Sequence, residues 1–259
     1  MSQPTLACNS LFSIEYVKRE HMKPQLHEMD EKMQTDFYAS YGNYKRYQTP
    51  ILAKKDIARF DAEIWAPASF SKHMSCLEIG CGMGTFLAYL SAKGLTNFRG
   101  IDHDKALRDM LPTEIKKNFD CVDVWEFLKI TGSASFDRIV LLDVLEHFTP
   151  EEGFLLLQMI KTALGKGGKI IIKVPNASSP WGMNYQFGDL THKAAYNGDS
   201  LRQLAVACEL TVDSVYGQRR GTRRRMFTDA VLHKFLSWAL LNPPPIWGAN
   251  LYCIFSLRD

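Results

Sequence analysis

The chain has 259 residues, 46% hydrophobic and 23% charged, with a formal net charge of +3. This excludes a disordered chain, and the charge is too small to imply nucleic acid as a partner. Cys8, Cys76, Cys81, Cys121, Cys208 and Cys253 form no C-x-x-C pair, and neither a membrane span of about 18 apolar residues nor a signal-peptide apolar run is present, so a cytoplasmic α/β domain with buried free thiols and added segments is expected.

Residues 1–25 have weak periodicity, and 25–36 is polar and helix-prone. Phe37, Tyr38, Tyr41, Tyr44 and Tyr47 then cluster around Gly42 and Asn43. That cluster suits packing under a loop or a lid. A helix is expected over 51–65, with Ile57, Phe60, Ile64 and Trp65 facing inward and Pro67 ending it. We take 1–70 as an N-terminal helical extension and 71–259 as the main domain.

The stretch Ser75, Cys76, Leu77, Glu78, Ile79, Gly80, Cys81, Gly82, Met83, Gly84, Thr85 organises that domain. A short apolar strand breaks at Gly80, three glycines alternate, and a helix starts at Thr85 with Phe86, Leu87, Tyr89 and Leu90 on its apolar face. Such a strand, glycine turn and helix brings a nucleotide-like ligand close to backbone. A dinucleotide loop is G-x-G-x-x-G and holds a pyrophosphate. Here the spacing is G-x-G-x-G behind an acid, Glu78, which would repel a pyrophosphate and attract a cation.

Glu78, Gly80, Gly82 and Gly84 resemble motif I, E/D-x-G-x-G-x-G, of the class I S-adenosylmethionine (SAM) methyltransferases. The resemblance implies that this loop cradles the methionine part of SAM. A second strand over 97–101 ends at Asp102, about twenty residues past the turn, where an acid accepts ribose hydroxyls in nucleotide folds. The alternative for Asp102 is a helix N-cap, a job Asp104 would do as well. A third strand over 118–122 precedes Asp123 and Val124. The resemblance implies that they meet the adenine amino group and ring, and an N-cap is again the alternative.

The fourth strand, 136–142, is apolar enough to be central in a parallel sheet. It runs into Asp143, Val144, Leu145, Glu146 and His147. A helix over 150–164 follows, with Pro150 at its first position. Gly165, Gly167 and Gly168 then read as its stop, before a fifth strand over 169–174. Residues 177–197 read as a long loop holding Trp181, Tyr185, Phe187 and His192. A helix over 199–210 and a strand over 211–216 come next. A basic and amphipathic helical insert, 218–248, separates that strand from the last one, 251–257. The family resemblance covers roughly 72–215. It implies a Rossmann-like α/β fold with a seven-stranded, mostly parallel sheet of order 3-2-1-4-5-7-6, the last strand antiparallel, with helices on both faces.

Methyl transfer to a hydroxyl requires removal of its proton. His147 or His192 would be the base, since imidazole titrates near neutral pH. Alternatively Asp143, Glu146, His147 and His192 would bind a divalent metal ion that acidifies the hydroxyl. That set is similar to the E-x-x-E-H pattern with a later His in small-RNA 2′-O-methyltransferases and some quinone O-methyltransferases, with Asp143 in place of the first Glu. A third alternative leaves the cluster without metal: Glu146 orients backbone and His147 packs on the cofactor. Asp143 also stands among the expected cofactor contacts.

Gly188, Asp189, Leu190, Thr191 and His192 are similar to a segment of methyltransferases of bacterial surface-polysaccharide pathways. This implies a sugar or sugar-acid acceptor, anionic or glycan in type, and Trp181, Tyr185 and Phe187 would stack on it. They would equally suit a quinone. The insert packs Arg219, Arg220, Arg223, Arg224 and Arg225 before a helix over 226–241. The bland reading is a helix docked on the sheet edge. Arginines at a helix start work against its dipole, so an anionic acceptor or an acidic membrane surface through 219–241 would offset them. The expectation is therefore a cytoplasmic enzyme able to sit at the inner face of a membrane.

Overall fold

The computed structural model describes residues 49–219 and 221–258. They fall in one compact unit running from Gln48 to Asp259. Residues 1–48 of the expected 1–70 extension, with its aromatic cluster, lie outside the described residues. Residues 49–70 do not stand apart as an extension. They pack into the same unit, because their apolar face covers the sheet.

The elements, in chain order, are α1 (Lys54–Phe60), continued by a wider turn (Asp61–Trp65), β1 (Cys76–Ile79), α2 (Thr85–Ala92), β2 (Phe98–Asp102), α3 (Leu107–Met110), β3 (Phe119–Cys121) and α4 (Val124–Ile130). Then come β4 (Phe136–Leu142), a single 3-10 turn (Leu145–His147), α5 (Pro150–Ala163), β5 (Leu164–Pro175), α6 (Pro180–Phe187), α7 (Gly198–Ala207), β6 (Leu210–Gly217), α8 (Arg223–Ala239) and β7 (Asn250–Leu257). The sheet order is β3-β2-β1-β4-β5-β7-β6. Neighbours from β3 to β5 pair in parallel, while β7 is antiparallel to both β5 and β6. This is the order that the family resemblance implied.

The central strands are apolar on both faces because helices cover both, as parallel sheets require. On one face Leu77, Ile79, Ile139, Leu141, Ile170 and Ile172 pack with Leu156, Leu157 and Ile160 of α5. The other face carries an aromatic layer: Phe60 lies 5.2 Å from Phe86 and 5.0 Å from Tyr89, ring centre to ring centre. Two buried charges tie 49–70 down. Arg138 donates to the carbonyls of Ala68 and Ser69. Glu63 accepts from the Tyr252 hydroxyl at 2.9 Å and the Arg219 N–H at 2.8 Å. Buried ionic groups held this way are satisfied rather than costly.

Helix starts follow local chemistry. Thr149 and Glu152 form a reciprocal capping box at α5. The structure departs from the sequence expectation in two further places. Residues 177–197 are not all loop: Ser179 caps α6, and Pro180 occupies its first turn. The 165–168 glycines do not end a helix in a free turn. They lie inside β5, which begins at Leu164 by pairing with Phe136 across an irregularity in the ladder.

Candidate active site

The site is built where β1, β2 and β4 end, at the carboxyl ends of these inner parallel strands. The loop after β1 turns through Gly80, Gly82 and Gly84, with φ of +67°, +52° and +74°. At Gly80 a Cβ would lie 2.5 Å from Val144 Cγ2, so the residue is fixed both by conformation and by the turn that follows β4. At Gly82 a Cβ would meet nothing within 4 Å, and the loop faces open space there.

Asp102, the last residue of β2, holds this loop. Its Oδ2 accepts the Gly82 N–H at 2.9 Å and its Oδ1 accepts the Asp104 N–H at 3.1 Å. Each oxygen retains lone-pair capacity for a further donor. Glu78, in β1 beneath the loop, is 3% exposed, and its Oε2 has no hydrogen-bond partner. Burial first, and the Asp102 charge second, hold its carboxyl well above the usual carboxylate range. A buried acid without a partner beside this glycine turn has the chemistry to meet a cation.

Asp123 is the N-cap of α4, its Oδ1 accepting from the Trp125 N–H at 2.8 Å and the Glu126 N–H at 3.3 Å, and Val124 is the first residue of that helix. The capping role is thus physically in place. Asp104 likewise accepts from the Ala106 N–H at 2.9 Å.

At the end of β4, Asp143 adopts φ +58°, a conformation Asp tolerates better than most residues. Its carboxylate accepts from the Lys173 ammonium. Lys173 stands beside Leu142 across the β4–β5 ladder. That pairing separates Asp143 from the four-residue group the sequence put together. Among the described residues the group that remains is Glu146, His147 and His192, whose donor atoms lie within 4.8 Å of one another.

Chain-distant residues assemble this group. The Glu146 carbonyl accepts the N–H groups of Lys193 at 2.8 Å and Ala194 at 3.1 Å, which draws the segment after α6 against the turn after β4. The two imidazoles meet edge to face, 4.7 Å between ring centres. His192 Nδ1 lies 2.8 Å from the Gln186 carbonyl, so it carries the proton. His147 Nδ1 lies 3.0 Å from Thr191 Oγ1 and 3.3 Å from the Thr191 carbonyl. The Thr191 hydroxyl already donates to Asp189 Oδ1 at 2.6 Å. His147 Nδ1 must therefore donate as well. Both rings are fixed with Nε2 as the basic nitrogen.

Glu146 is fully buried, and neither carboxyl oxygen has a hydrogen-bond partner among the described residues. Burial, reinforced by the Asp143 charge, raises its carboxyl well above the usual range. Two imidazoles oriented by carbonyls beside an unsatisfied carboxyl suit a divalent cation as well as a proton.

Sequence reasoning missed the supports. Lys173 interrupts the apolar run of β5, and a lysine inside a buried strand signals an acidic partner. Gln186 gave no comparable signal, because its carbonyl rather than its side chain orients His192. Trp181, Tyr185 and Phe187 all lie on α6 and are exposed. Trp181 Nε1 donates to His233 Nε2 of α8 at 2.9 Å.

Residues 47–215 match the family model described as a methyltransferase domain. The chain belongs to that family. Solved methyltransferases share its fold. A SAM-dependent methyltransferase from Archaeoglobus fulgidus gives a TM-score of 0.61 at 20% identity, covering 84% of this chain and 98% of its own. The Burkholderia thailandensis 1,6-didemethyltoxoflavin-N1-methyltransferase, with bound 1,6-didemethyltoxoflavin and S-adenosylhomocysteine, gives 0.55 at 15% identity, covering 100% of this chain and 94% of its own. Magnesium protoporphyrin IX methyltransferase from Synechocystis, with bound SAM, gives 0.51 at 11% identity over 78% of each chain. No curated protein matches this methyltransferase in sequence.

Proposed function

We propose that this methyltransferase uses SAM to methylate a hydroxyl of a sugar or sugar acid in a surface-polysaccharide intermediate. The observation that carries the oxygen-directed reading is the Glu146–His147–His192 group beside the turn that touches Gly80. Support for SAM comes from the acid and glycine loop with Asp102 beneath it, and from the SAM-dependent enzymes that share the fold.

The reaction is an in-line displacement. The acceptor oxygen attacks the methyl carbon, the carbon–sulfur bond breaks, and S-adenosylhomocysteine leaves. The hydroxyl proton passes to an imidazole Nε2. At His147 the resulting cation is stabilised through Nδ1–H to Thr191 and from Thr191 to Asp189, an arrangement with the logic of a catalytic triad. Glu146, His147 and His192 would also hold a divalent cation, whose chemistry would be to lower the pKa of the bound hydroxyl. The sugar assignment rests on the 188–192 segment and on the exposed aromatic faces of α6.

Transfer of radiolabelled methyl from SAM to a panel of soluble glycans, uronic acids, quinols and short RNAs tests this reading. Label on a glycan or uronic acid hydroxyl supports it. Label on a quinol or ribose moves the acceptor to that class. Tight SAM binding with no acceptor labelled would turn the protein into a SAM-binding regulatory or partner subunit.

A further inference from the structure

We infer that α8 is a membrane-surface helix that lays an apolar stripe onto an anionic bilayer. The helix is turned the wrong way round for a globular protein. Phe227, Val231, Phe235 and Trp238 recur every third or fourth residue, which sets them on one stripe. That stripe faces out: Phe227 is 70% exposed and Trp238 81%, and no residue of α8 is buried. Leu232 and Leu241 extend the exposed apolar surface. Monomeric proteins rarely present so continuous an apolar strip to water.

The opposite side of the helix is what holds it to the domain. His233 accepts from Trp181 Nε1 at 2.9 Å and stacks on Trp247, 4.9 Å between ring centres. Ser237 Oγ accepts from Trp247 Nε1 at 2.8 Å. The outward orientation of Phe227, Val231, Phe235 and Trp238 is therefore set by specific bonds and is not a loose end.

Charge selects the occupant. α8 carries Arg223, Arg224, Arg225 and Lys234 against a single carboxylate, Asp229, which is already paired with His233 at 3.1 Å. A basic helix with a Trp-bearing apolar stripe matches the interface of an anionic bilayer, where apolar rings enter the acyl boundary and arginines meet phosphates. A second copy of the chain would bring the same positive charge to the contact and repel. No described helix is long and apolar enough to cross a membrane, so the contact is with one face only.

The test is sedimentation of the full chain with vesicles of phosphatidylcholine alone, or with about 30% phosphatidylglycerol added. We expect at least about tenfold stronger binding to the anionic vesicles, reduced by about 0.5 M salt. The variant F227S/F235S/W238S and the variant R224E/R225E should each lose about tenfold or more in vesicle binding, with an unchanged melting temperature and unchanged SAM affinity. Indifference to lipid charge, or to both variants, overturns the inference. So does a dimer in solution that F227S/F235S/W238S dissolves without any vesicle binding. The readout needs no acceptor, so it stands or falls separately from the sugar assignment.

Discussion

Asp102 Oδ2 accepts the Gly82 N–H at 2.9 Å, tying the end of β2 to the crest of the glycine loop. One carboxylate thereby shapes the glycine loop and, on the proposed reading, keeps lone pairs for the ribose of SAM. Asp102→Ala should weaken SAM binding by about 1–3 kcal/mol, the range for losing an acceptor to buried or charged partners. It should also lower the melting temperature, since the Gly82 and Asp104 N–H groups lose their acceptor. Calorimetric titration with SAM and S-adenosylhomocysteine measures the first effect. Equal affinity in the variant would remove Asp102 from the cofactor site.

Glu78 makes stability depend on pH in a stated direction. Burial and the Asp102 charge raise its folded-state pKa above the unfolded one. The protonated carboxyl's contribution is then complete below the unfolded value and is lost as pH rises through the folded value. Glu78→Gln cannot titrate and escapes that loss. The melting temperature of the variant minus that of the wild type should therefore grow from about pH 4 to about pH 8. Parallel melting curves across that range would show that the site relieves the charge in another way. The same variant should bind SAM more weakly, because an amide does not neutralise an ammonium.

His147→Ala and His192→Ala should each lower turnover by about 10²- to 10⁴-fold, the scale of general acid–base catalysis. SAM affinity should stay close to that of the wild type, which separates this outcome from a distorted fold. Chelation distinguishes the two ways the group can act. Turnover that falls with chelator and returns with Mg²⁺ or Mn²⁺ assigns a cation to Glu146, His147 and His192. Turnover untouched by chelator, with an acidic limb in its pH profile, assigns an imidazole base. Near-full activity in both alanine variants would remove the group from the chemistry.

Gly80→Ala should destabilise the domain by roughly 2–5 kcal/mol, combining about 1–2 for a left-handed alanine with about 1–3 for the contact with Val144. Val144→Ala in the same chain should return about the second part and leave the first. Urea unfolding of the four members of this cycle measures the coupling. Strict additivity would show that the methyl group finds room without moving Val144.

What could be read beforehand follows physical lines. β1 and β4 end where the sequence placed them, because apolar runs bounded by Gly80 and Asp143 leave little choice. Strand order followed from a family pattern that the glycine loop and Asp102 carry. What could not be read depends on partners far along the chain. Asp143 looked like a ligand beside Glu146, but the β4–β5 register supplies Lys173, and no local pattern encodes that register. The α6 start was legible in Ser179 and Pro180, yet the many polar and glycine residues around it imitate a loop. The glycines of 165–168 signalled a turn, while strand pairing with Phe136 overrode them. The tautomers of His147 and His192 emerged only with the carbonyls of Thr191 and Gln186.

The place of β7 in the sheet has a consequence for how the protein is made. Of the described strands it is the last to be synthesised, yet it lies between β5 and β6, pairing with both. Until it arrives, β5 has an unpaired edge and β6 has no strand to join, so two open edges coexist in the nascent chain. Its Tyr252 must also reach back to Glu63, 189 residues earlier, and closures of that span come late. A chain stopped short of residue 250 is thus a sheet missing an inner member. Nascent chains at that stage are where chaperone dependence and aggregation should concentrate.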